Sequence, residues 1–208
     1  MTEDHSDVDD LMRRARAGDQ AAVEALFIRH RDRLKRMVQL RLDHRLQGRI
    51  DASDVIQEAF LDAVKGLDGY LAAPRAPLFL WLRYLVAMRL KALHRHHLGV
   101  QQRDARLDVS IYQGPLPEAD SAALAAQLLG RLTSPSNAAV RAERMLKLQE
   151  ALYSMEPIDR EILALRHFED LTRAESAQEL GIEESAAGKR YLRALKRLRQ
   201  ILDEDAIA

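Results

Sequence analysis

Apolar residues recur every three or four positions along almost the whole of this chain, and runs that alternate apolar with polar residues are nearly absent. An α-helix turns once in about 3.6 residues, so this spacing gathers apolar side chains on one helical face and denies a strand its two-residue period. The chain is therefore expected to be all-α. Helices are expected at about 7–17, 20–46, 52–66, 77–97, 138–153, 157–168, 172–180 and 184–203. The pattern breaks once, over 99–137, where Gly99, Gly114, Pro115, Pro117, Gly130 and Pro135 stop helices. A linker is expected there, although "DSAALAAQLLG" inside it can form a short helix. Two small helical domains follow, at 1–98 and 138–208.

Composition narrows the function. A hydrophobic content of 47% fills ordinary cores. With no cysteine, disulfides, thiolate metal sites and cysteine nucleophiles are excluded. The start "MTEDHSDVDD" is acidic, the reverse of a secretory n-region, and no apolar run approaches the roughly 20 residues that span a bilayer. A cytoplasmic protein without membrane contact is expected.

The chain balances 32 Lys and Arg against 32 Asp and Glu, yet "AAGKRYLRALKRLRQ" at 186–200 holds only cations among its charges. The stretch before it explains this. In "LTRAESAQELGI", Thr172 and Glu175 have the capping-box spacing, Ala174, Ala177 and Leu180 share a face, and Gly181 ends the helix. A second helix follows after a very short turn. Its buried stripe is expected to be Ala187, Tyr191, Ala194 or Leu195, Leu198 and Leu202, which turns Lys189, Arg190, Arg193, Lys196, Arg197 and Gln200 outward. This is the layout of a helix-turn-helix, whose second helix enters a DNA major groove. Gly188 is costly inside a helix; either it lets backbone approach DNA or the regular helix starts later.

In the N-terminal half, "DASDVIQEAFLDAVKGL" at 51–67 is amphipathic, with Ile56, Phe60, Ala63, Val64 and Leu67 inward and Asp54, Glu58 and Asp62 on another face. That acidic stripe, with Gln57 beside it, reads as a solvated face or a docking surface; no histidine joins it at ligand spacing for a metal. From Arg83 to His97 there are Arg83, Arg89, Lys91 and Arg95, three histidines and no acid, preceded by Phe79 and Trp81 and including Tyr84. A basic helix led by aromatics can hold a nucleic-acid backbone and stack unpaired bases, while the same aromatics can serve as core. His94, His96 and His97 point in different directions on a helix, which argues against a metal site.

In order and chemistry these segments resemble a bacterial sigma-70 family RNA polymerase sigma factor of the extracytoplasmic-function (ECF) group. "ARAGDQAAVEALFIRHRDRL" is similar to the family's opening segment, "DVIQEAFLDA" to its D-x-x-Q-E helix, and "FLWLRYLVAMRLKALHRH" to its promoter helix. "LQEALYSMEPIDREILALRHFEDLTRAESAQELGI" and "KRYLRALKRLR" look like its region 4. "SPSNAAVRAERMLKLQEAL" and "KRYLRAL" resemble the planctomycete type.

The resemblance implies a region 2-like bundle and a region 4-like helix-turn-helix joined by a linker, with no enzyme activity and no cofactor. It implies that Asp54, Gln57 and Glu58 dock on the β′ clamp helices of core RNA polymerase while region 4 sits on the β flap. Lys189, Arg190, Arg193, Lys196 and Arg197 would contact the −35 promoter element. Trp81, Arg83, Tyr84, Arg89, Lys91 and Arg95, with the 68–78 loop, would open and hold the −10 element. An anti-sigma factor is a further partner of the family, and regulation is expected from another component, since no sensor extension follows "DEDAIA". Family members commonly carry asparagine where this chain has Met88, which cannot hydrogen-bond a base as an amide does. Outward placement there implies altered −10 preference. The alternatives from the residues alone are a helix-turn-helix regulator acting without polymerase and a helical interaction protein. Neither a Gly-rich phosphate loop nor a triad or metal spacing favours an enzyme.

Overall fold

The computed structural model describes residues 3–98, 118–132 and 138–204. Gly99, Gly114, Pro115, Pro117 and Pro135, the breakers expected to make a linker, lie outside the described residues. Helices follow one another as α1 (Glu3–Arg16), α2 (Gln20–Arg41), α3 (Ala52–Ala72), α4 (Leu78–Leu98), α5 (Ser121–Leu132), α6 (Ala138–Tyr153), α7 (Pro157–Leu163), α8 (Arg173–Leu180) and α9 (Glu184–Glu204). The fold is all-α. Two compact units divide it, one of residues 1–38 and 46–104 and one of residues 39–45 and 105–208.

In the first unit, Leu26, Leu34 and Met37 of α2, Val55, Ala59 and Ala63 of α3, and Leu80, Leu82, Val86 and Leu90 of α4 are buried at helical spacing. Helix α2 stops at Arg41 rather than running to 46. Asp43 accepts a hydrogen bond from the Arg45 backbone N–H at 2.9 Å, an Asx turn that competes with the helix. Helix α3 instead runs past the expected stop at 66, through Gly66 and Gly69, because Tyr70 is buried and stacks on Trp81 with ring centroids 4.5 Å apart. Gly66 fits this contact: a Cβ there would stand 3.4 Å from Trp81. Val64, expected inward, is 42% exposed. The buried set Ala52, Val55, Ile56, Ala59, Ala63 and Leu67 recurs at three and four residues, and Val64 lies one step off that face.

In the second unit, Leu124, Ala125 and Leu129 of α5 pack into one core with Leu148 and Leu152 of α6, Phe168, Ala194 and Leu198. The segment expected as a linker thus contributes a core helix, capped by Asp120 accepting from the Ala123 N–H at 2.8 Å. Within this unit Arg41 is buried and ion-paired with Glu161 and Glu169. Burial pushes its pKa down, but the charges of Glu161 and Glu169 outweigh that and raise it. After Leu163 the helix widens over Ala164–Phe168 into a π turn, with the Glu169 N–H bonding Ala164 at 3.1 Å.

Candidate nucleic-acid interface

Helix α8 has only eight residues, so its ends matter. Thr172 accepts from the Glu175 N–H at 3.2 Å, and Glu175 accepts from the Thr172 N–H at 2.7 Å, completing the capping box. At the other end Gly181 takes the left-handed conformation, φ 62°, which glycine reaches without Cβ strain. Three residues later, at Glu184, α9 begins. Ile162, Ala177 and Ala187 form a small core joining α7, α8 and α9, with Leu180, Ile182 and Tyr191 at its edge. The Tyr191 hydroxyl meets His167 Nε2 at 3.1 Å, which fixes the roll of α9 from its buried side.

Ala187, Ala194 and Leu198 are buried as expected, and Tyr191 and Leu195 partly so; the Leu202 side chain lies outside the described residues. Lys189, Arg193, Lys196 and Arg197 are exposed along the opposite side. Arg197 also donates to Ser154 Oγ at 3.0 Å. Arg190 differs. Its Nη1 donates to Glu156 Oε2 and to Asp159 Oδ1, both at 2.8 Å, and its side chain is 28% exposed. Asp159 is itself buried. The hydrogen bond from Arg190 holds the Glu156 carboxyl below its ordinary pKa, and bonds to Glu156 and Asp159 raise that of Arg190. Arg193 Nη1 stands 4.0 Å from Asp159, an ion pair at its outer limit.

Since α9 starts at Glu184, Gly188 lies within the helix. The space beside it is taken by Arg173: a Cβ on Gly188 would stand 3.2 Å from Arg173 Cδ. Sequence reasoning passed over Arg173, whose Nε donates to Glu184 at 2.7 Å.

The first unit arranges its basic helix differently. Arg83 is 1% exposed, inside the unit and away from any surface a DNA strand can reach. Its helical neighbours Phe79, Leu80, Val86, Ala87 and Leu90 are all buried, a signal that the sequence carried. Arg89 donates Nη2 to Asp62 at 2.6 Å, with Glu58 3.8 Å away. That hydrogen bond lowers the Asp62 pKa, so the acidic stripe is partly neutralised from α4. Trp81, Tyr84 and Lys91 are half-buried, and Arg95 is exposed. Met88 is 41% exposed and faces outward.

Asp54, Gln57 and Glu58 are all exposed on α3. Beside Gln57 a cleft of about 340 Å³ opens between α2 and α3, lined by Phe27, Ile28, Ile56 and Phe60 among others. Ile28 is 64% exposed at its rim. An isolated apolar residue signals little in a sequence; the cleft arises only when α2 and α3 are brought together. Among the described residues no group of three or more His, Asp or Glu is placed to hold a metal ion, and no helix is long and apolar enough to cross a membrane.

Residues 145–198 match the Sigma-70, region 4 family. The ECF RNA polymerase sigma factor BldN of Streptomyces coelicolor is 24% identical over 197 residues, which are 95% of this chain and 66% of that protein. The chain therefore spans slightly less than two thirds of that relative's length. Among solved structures, CnrH in complex with the cytosolic domain of CnrY is similar at a TM-score of 0.53 and 21% identity, over 94% of this chain and 96% of that one. The chain thus carries a sigma-70 region 4 domain at 145–198, within an all-α fold similar to that of CnrH.

Proposed function

We propose that this chain is an ECF sigma factor that binds core RNA polymerase and directs promoter recognition, DNA opening and transcription initiation in the cytoplasm, without chemistry of its own. The observation that carries the reading is the capped helix-turn-helix of α8 and α9, with Lys189, Arg193, Lys196 and Arg197 exposed on α9, inside the segment that matches region 4. Similarity to an ECF sigma factor along 95% of the chain supports extending it to the N-terminal half. The wording of 134–152 and 189–195 supports the planctomycete type.

Lys189, Arg193, Lys196 and Arg197 would meet the −35 element, with Arg190 bracing the helix from behind rather than reading bases. Trp81, Tyr84, Lys91 and Arg95, with outward Met88, would face the −10 strand; Arg89 would join only by leaving Asp62, and Arg83 would support the helix from inside. Asp54, Gln57 and Glu58 beside the α2–α3 cleft would dock on the β′ clamp helices, and region 4 on the β flap. CnrH is solved with a bound protein partner, which supports an anti-sigma factor as a partner here. Zero net charge fits dependence on polymerase, because acidic regions oppose unassisted approach to DNA.

Run-off transcription with purified core polymerase and a promoter library tests this. Discrete starts absent from core alone are expected. No transcription and no co-elution with core would leave a helix-turn-helix regulator as the reading. Asp54→Ala with Gln57→Ala should weaken core binding in a co-elution titration, and an unchanged affinity would remove the docking assignment.

A further inference from the structure

Two residues of the second unit break local rules at the same spot. Arg173 occupies the first position of α8, where the positive end of the helix dipole disfavours a cation. Gly188 lies inside α9, where glycine is less favourable than alanine. The two meet: the Arg173 stem lies against Gly188, with Cδ 3.2 Å and Nη1 3.8 Å from where a Cβ would be. Locally unfavourable choices that fit one another mark a functional constraint more often than a packing one. Core packing does not explain the pairing, since the Arg173 side chain is 61% exposed.

We propose that Arg173 is a DNA-contacting residue of the helix-turn-helix, laid across the side-chain-free turn at Gly188 to supply a cation that α9 lacks there. This rests on the helix-turn-helix reading given above. Gly188 lies one residue before exposed Lys189 and four before Leu192, which is 66% exposed, so the Arg173 guanidinium extends the outward face of α9 toward its N-terminal end. That end enters the major groove in this motif, with the preceding helix crossing the phosphates. Glu184 takes only the Nε–H in the free protein, and among the described residues no other hydrogen bond of Arg173 is formed. A guanidinium has five N–H donors, so a phosphate oxygen or a guanine edge can engage the Nη groups.

The test uses full-length chain with core polymerase on a promoter fragment selected with the wild type, reading transcription against salt for Arg173→Ala and Glu184→Gln. Arg173→Ala should lower promoter occupancy roughly fivefold to tenfold and reduce the salt slope by about one. Glu184→Gln should hold or raise activity, because it releases Arg173. Unchanged behaviour of Arg173→Ala, or equal loss in both variants, overturns the proposal, since equal loss means the pair only braces α8 against α9. Arg193→Ala separates the layers: if it loses activity while Arg173→Ala does not, the sigma reading stands and this inference falls. If the wild type itself drives no transcription with core, both fall.

Discussion

Helices α4 and α9 are each 21 residues long and rich in cations, yet they spend those cations in opposite ways. On α4 two of the four Lys and Arg side chains turn back into the first unit: Arg83 is enclosed and Arg89 is held by Asp62 and Glu58. On α9 most turn away, while Arg190 is held by the carboxylates of Glu156 and Asp159. The difference is one of phase. Arg83 shares the face of Phe79, Val86 and Ala87, whereas Lys189, Arg193 and Lys196 fall opposite Ala187, Ala194 and Leu198. A basic stretch therefore becomes a binding surface only where its charges are out of step with its apolar stripe.

The largest expected effect lies where the cation is most enclosed. Arg83→Ala should destabilise the protein by about 2–5 kcal/mol in urea unfolding, as other large buried side chains do, while Lys91→Ala should stay within about 0.5 kcal/mol. A near-neutral Arg83→Ala with altered −10 preference would break the contrast.

On the outward helix the effect should appear in DNA instead. Arg193→Ala should cost about 1–3 kcal/mol of discrimination at one −35 position if its contact to a base edge is bidentate. An unchanged mutational profile of the −35 element would show that Arg193 reads nothing. Arg190→Ala sharpens the point from the other side. It should lower the melting temperature by a few degrees and leave the salt slope of promoter binding unchanged; a slope reduced by about one would return Arg190 to the DNA.

The smallest effect is with pH. Glu156 and Asp62 have depressed pKa values, through hydrogen bonds from Arg190 and Arg89. Unfolding raises each toward the ordinary carboxylate range near about 4, so the unfolded chain binds more protons in acid. Their stabilisation should be complete at neutral pH and lost as pH falls through the depressed values. Urea midpoints measured from pH 7 down to pH 3 check this, and Arg190→Ala should flatten the decline.

What the sequence disclosed was local. The capping box at Thr172 and Glu175, the stop at Gly181 and the stripe through Ala187, Ala194 and Leu198 each depend on residues within a turn or two, and all are present. The claim of Glu156 and Asp159 on Arg190 was hidden because the partners lie 34 and 31 residues away and are brought together by tertiary packing alone. The same holds for Arg41, whose partner Glu161 is 120 residues distant. Arg83 was legible and misread: its neighbours at three and four residues spelled burial, but the density of charge around it outweighed them. Helix α5 was half-read, since its apolar period was visible while the breakers around it suggested a segment without a core.

The eight residues of α8 are fewer than the roughly 12–15 that an isolated helix needs in water. Its two ends are tied, but neither tie can replace the core it leans on. The reading head is therefore folded only while the second unit around it is folded, and backbone amides in α8 should exchange with solvent no more slowly than that unit opens. Any stress that loosens the unit, such as heat, denaturant or a cavity beneath Phe168, would therefore unfold α8 with it, and under the proposed function would take −35 recognition away at the same step.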